Sequence, residues 1–150
     1  MRSGPGCGGR RCRVVAPSER LRALRALVRP WEVVRRVGPV DGYCADMVAE
    51  LMAAHLRYIP DVADTDVWCS PEATLRKGGG DCDDLSIFAC AMVRAAGGFA
   101  EVKVGYLFQE EEGWIGHAWV EGWDRHGAFL LEATAGVVFR GRPPEYMLVE

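Results

Sequence analysis

The hydrophobic period of this 150-residue chain changes at Gly97-Gly98, and that change limits the folds open to it. Ahead of the two glycines apolar residues recur every three or four positions; beyond them they alternate. Ser18 is placed to cap a helix carrying Leu21, Leu24 and Leu27 that ends before Pro30. Asp41 opens a second helix, with Met47, Val48, Leu51, Met52 and Leu56 on one face until Pro60. His55 within it reads as packing or surface. Ser70-Pro71 starts a short helix that stops at Gly78. Asp81 caps a further helix, Asp84 serves as its capping-box acid, and Ile87, Phe88, Cys90, Ala91 and Val93 make it apolar on most sides. After Gly97-Gly98, strands are expected around Val102–Tyr106, Gly116–Trp123 and Ala128–Thr134. Helices first and an antiparallel sheet afterwards predict an α+β fold.

The globular part, residues 18–150, is long enough for one domain with a single core. Residues 1–17, rich in Gly, Arg and Pro, read as a disordered basic arm. A net charge of −3 gives no reason to expect nucleic acid, and no apolar run reaches membrane-spanning length. The basic start has no apolar stretch behind it, so no secretory signal is read and a cytoplasmic or phage-associated setting is expected. In that setting the six cysteines read as free thiols. Cys7 and Cys12 lack a second ligand pair at zinc-finger spacing.

Residues 78–86, Gly-Gly-Gly-Asp-Cys-Asp-Asp-Leu-Ser, carry the chemistry. They place Cys82 where a glycine loop enters a helix, whose first turn presents unpaired N–H groups and a partial positive charge. That setting favours a thiolate, the nucleophilic form of cysteine, and the same N–H groups can receive an oxyanion. The bland alternative is a buried cysteine opening a core helix. A nucleophile needs a base, and the base an acceptor that orients it. His117 opens a strand and Glu132 lies in the next. A turn at Asp124-Arg125 pairs 117 with 132; a turn at Arg125-His126 pairs 117 with 134 and leaves Glu132 diagonal to His117. Either register puts both side chains on one face.

Trp68-Cys69-Ser70-Pro71-Glu72, Thr74-Leu75 and Gly79-Gly80-Asp81-Cys82-Asp83-Asp84 resemble the cysteine segment of the transglutaminase-like superfamily. Gly116-His117-Ala118-Trp119-Val120-Glu121 resembles its histidine strand, and Leu131-Glu132-Ala133-Thr134 falls where the family has Asp-x-Thr. The likeness runs over about 43–136 and is strongest to bacterial transglutaminase-like cysteine proteinases and small phage or prophage proteins. It implies a papain-like α+β core in which the cysteine-bearing helix packs on the sheet, and a Cys82–His117–Glu132 triad. That triad would hydrolyse a peptide or isopeptide bond in a protein or peptide substrate through a thioester. Trp68 would flank the oxyanion pocket or serve as a core aromatic. Glutamate in place of aspartate would have to fold back to reach His117 Nδ1. Asp124 and His126, at the hairpin turn, are the wrong acid and base by position. Some relatives bind calcium through acids flanking the cysteine, and Asp81 and Asp83 match those positions; no cofactor is otherwise required.

The rival within the class is acyl transfer to an amine, which shares the thioester. A non-catalytic scaffold rests on the Glu132 substitution. A metal protein built on Cys82, Asp81 and Asp83 mixes ligands that suit no common structural ion.

Overall fold

The computed structural model describes residues 17–60 and 67–149. The expected arm at 1–17 and the acidic loop at 61–66 lie outside them, save Pro17, which opens the first helix. Five helices, α1 (Pro17–Ala26), α2 (Pro30–Val37), α3 (Ala45–His55), α4 (Pro71–Lys77) and α5 (Cys82–Ala95), precede a five-stranded sheet. A two-residue strand pair, β1 (Arg57–Tyr58) and β2 (Gly79–Gly80), lies among the helices. The sheet comprises β3 (Phe99–Gln109), β4 (Gly113–Asp124), β5 (Gly127–Glu132), β6 (Val137–Phe139) and β7 (Tyr146–Leu148), in the order β6-β5-β4-β3-β7 and antiparallel throughout. The α+β expectation holds. No helix among the described residues is long and apolar enough to cross a membrane.

Two helix starts differ from the sequence reading. Ser18 lies inside α1, not at its cap. Pro30 ends one helix and also begins another, because a residue without an N–H suits a first helical position; the reading took it only as a stop and missed α2. The helix expected from Asp41 begins at Ala45, whose N–H is held at 2.7 Å by Asp124 Oδ2 of the β4–β5 hairpin. A cap supplied from 79 residues away leaves no local signal. His55, at the end of α3, is exposed.

Alternation sorts the sheet into two faces. Val102, Val104, Ala118, Val120, Phe129, Leu131 and Ala133 pack against α5 in one core with Leu21, Leu24, Val33, Val48 and Met52. Trp119, Leu130 and Tyr146 form a second cluster with Leu107, Phe139 and Leu148 on the opposite face.

Each glycine ahead of Cys82 has its own cause. Gly78 ends α4 in the left-handed conformation (φ 88°). A side chain on Gly79 would lie 1.9 Å from the Arg57 carbonyl oxygen, at φ 153°. One on Gly80 would lie 2.5 Å from Cβ of Asp84. The loop is pinned to β1 by Arg57 N–H on Gly78 O and Ile59 N–H on Gly80 O. Gly79→Ala is therefore expected to lower the melting temperature by roughly 5–15 °C, read by thermal unfolding.

Candidate active site

Cys82 is the first residue of α5 and is fully buried, as are Asp81, Asp83 and Asp84. Asp81 caps the helix as read, its Oδ1 accepting from the N–H groups of Asp83 and Asp84 at 3.1 Å. Asp84 Oδ1 accepts from Cys69 N–H at 2.8 Å, and Oδ2 pairs with Lys77 Nζ at 3.3 Å. It ties the start of α5 to the Trp68–Ser70 segment and to the last turn of α4. Trp68 is half-buried against the main core.

The cysteines do not all read as they did in sequence. Cys44, Cys69 and Cys90 keep their thiols, but Cys82 is disulfide-bonded. A disulfide has no ionisable thiol, so in this state the helix terminus has no thiolate to stabilise. Cys90 is inert for another reason: burial pushes its thiol up to about 12.

The hairpin turns at Arg125-His126, with Asp124 opposite Gly127 and Val120 opposite Leu131. This is the second of the two registers, so Glu132 lies diagonal to His117 on the same face. The side chains meet, His117 Nε2 to Glu132 Oε1 at 2.8 Å, with His117 fully buried and Glu132 nearly so. The acid engages Nε2, not the Nδ1 expected, because it approaches from the diagonal position one strand over.

Two residues that the reading gave no role complete the acid's surroundings. Tyr146 OH donates to Glu132 Oε1 at 2.7 Å, and Thr134 donates to Oε2 through Oγ1 at 2.5 Å and through its N–H at 3.3 Å. Thr134 stood in the Glu-x-Thr motif, whereas Tyr146 arrives on β7, a three-residue strand with no periodic signature. Burial alone would raise the Glu132 carboxyl; the charge and hydrogen bond of His117, then Thr134 and Tyr146, outweigh it and hold Glu132 below its ordinary value. Burial and the neighbouring carboxylate push Tyr146 up, keeping it a donor.

An ionised carboxylate only accepts, so Nε2 carries a proton and donates it to Glu132. Nδ1, the other ring nitrogen, is buried with no hydrogen-bond partner among the described residues. The ring stacks beside Trp119, centroids 6.2 Å apart.

Asp124 is structural. It accepts from Ala45 N–H and His126 N–H, and Arg140 grips both its oxygens at 2.8 and 3.2 Å. Burial would raise it, but Arg140 and the two N–H groups bring it from 3.8 to about 2. A carboxyl depressed on folding adds stability above its unfolded value and loses it as pH falls through the folded one. Asp124→Asn is thus expected to cost about 2 kcal/mol at neutral pH and to narrow its gap to wild type between pH 4 and 2, checked by urea unfolding. His126 is exposed at the hairpin tip.

A transglutaminase-like superfamily model matches residues 34–131. The chain belongs to that superfamily. The match ends one residue before Glu132, so Thr134 and Tyr146 also lie beyond it. No curated protein matches the chain in sequence. Among solved structures, a proposed cysteine protease from Cytophaga hutchinsonii superposes with a TM-score of 0.53 at 21% identity, over 77% of this chain and 38% of that one. Calcium-bound LapG from Legionella pneumophila gives 0.57 at 16% identity, over 87% and 72%, and EGTA-treated LapG gives 0.56 at 16%, over 92% and 75%. These likenesses show a shared fold, and the chain spans well under half of the Cytophaga protein.

Among the described residues no three His, Cys, Asp or Glu side chains are grouped to hold a metal ion. Asp81 also commits one oxygen to capping α5. Two carboxylates fall short of the six to eight oxygens calcium takes.

Proposed function

We propose that this protein is a thiol hydrolase that cleaves a peptide or isopeptide amide through a Cys82 thioester. The carrying observation is the buried His117–Glu132 pair, whose carboxylate is clamped so that Nδ1 is left as the base. Cys82 packs on the α5 side of β4, in one core with Ala118 and Ala133. His117 and Glu132 project from the other side.

In the reduced enzyme, once the site opens and brings the two side chains together, the Cys82 thiol gives its proton to Nδ1 and the thiolate attacks the amide carbon. The Cys82 N–H, at the first position of α5, receives the oxyanion, with Trp68 flanking that pocket. Collapse breaks the C–N bond, and Nδ1–H protonates the departing amine. Water, deprotonated by Nδ1, then releases the acid and restores the thiol. Cys82 and His117 have no exposed surface here, so turnover requires both reduction of the disulfide and opening of the site. Calcium is assigned no step; dependence on it through Asp81 and Asp83 is read from a chelator arm.

The test is incubation of the reduced protein with a proteome-derived peptide mixture, with calcium or with EGTA, scored by mass spectrometry for new termini and for added amine. New termini that vanish in Cys82→Ala are expected. Amine incorporation without new termini would make the protein an acyltransferase, and neither product would make it a scaffold.

A further inference from the structure

A cavity of about 290 Å³ opens on the sheet face that carries the dyad, and Glu132 forms part of its wall. Leu107, Val137, Phe139 and Tyr146 supply apolar walls, and Gln109 and Thr134 add polar edges. The residues come from β3, β5, β6, β7 and the turn after β5, so the sheet itself shapes it. Val137, opposite Glu132 in the β5–β6 ladder, is 40% exposed at this cavity. Its volume is at the low end for a ligand pocket and suits one large side chain rather than a whole small molecule.

We propose that this cavity is a subsite for an apolar side chain on the leaving-group side of the scissile bond. The inference rests on the thiol-hydrolase reading. Its position follows from the imidazole. Nδ1 hands its proton to the departing amine, so the leaving segment must lie over the ring, while the acyl segment stays with Cys82. Nε2, at the other edge of the ring, points to Glu132, and Glu132 borders the cavity. A chain leaving from Nδ1 and advancing about 3.3 Å per residue brings its first or second side chain there. The walls select for aliphatic or aromatic groups. The Glu132 charge, with no cationic side chain in the lining among the described residues, selects against acidic ones.

Nucleophile partitioning tests the subsite without knowledge of the natural substrate, because an amine that captures the thioester retraces the path of the leaving group. p-Nitrophenyl acetate acetylates reduced Cys82 and releases p-nitrophenolate. An amino-acid amide then attacks the thioester carbon, passes its proton to Nδ1, and departs as the N-acetyl amide with the thiol restored. Leucinamide and phenylalaninamide are expected to be acetylated at least about tenfold faster than glycinamide or glutamic acid α-amide at equal concentration. Val137→Asn and, independently, Leu107→Asn should reduce that ratio to about threefold or less while leaving the p-nitrophenolate burst unchanged. A burst with equal capture of all four amides, or a preference untouched by both variants, would overturn the subsite alone. Absence of a Cys82-dependent burst would overturn the hydrolase reading and the subsite with it.

Discussion

Replacing His117 with alanine is expected to slow acylation of reduced Cys82 by about 10²- to 10⁴-fold. The effect should be large because the base has no evident substitute. His126 is exposed at the hairpin tip and His55 is exposed at the end of α3. The readout is the p-nitrophenolate burst under single-turnover conditions, with Cys82→Ala as the zero. A variant that acylates at the wild-type rate would mean that Cys82 reacts without the dyad.

Removing the acid should cost both rate and stability. In Glu132→Ala, the His117 Nε2–H, the Tyr146 hydroxyl and both Thr134 donors lose their acceptor in a buried site. Stranding these groups is expected to cost roughly 2–4 kcal/mol and about 10²- to 10⁴-fold in acylation rate. Glu132→Gln should restore shape but not function, since its NH₂ group must face donors at one end or the other. Glu132→Asp keeps the charge and is expected to recover part of the rate. Urea unfolding and the burst together measure this series, and a Gln variant equal to wild type in both would refute the ionised clamp.

The contrast between acid and base explains much of what the sequence could and could not reveal. His117 and Glu132 were legible because strand alternation needs no knowledge of the rest of the molecule; both plausible registers placed them on one face. Which nitrogen the acid meets depended on the diagonal offset, a fact of register that the sequence left open. Ser70 and Asp81 were legible as caps because the capped N–H groups lie two or three residues away. The start of α3 was not, because Asp124 reaches it across the fold. Tyr146 was hidden for the same reason: a three-residue strand after Pro143-Pro144 carries too short a pattern to announce itself, yet it sets a hydroxyl on Glu132. The disulfide at Cys82 follows from no spacing in the chain.

The most direct test of the central claim is the pH dependence of iodoacetamide alkylation at Cys82 after reduction, by peptide mass spectrometry in wild type and His117→Ala. The account predicts rapid alkylation in the wild type, with an inflection well below the ordinary thiol value of about 8.5, and a return toward that value in the variant. Coincident profiles following an ordinary thiol titration would contradict it.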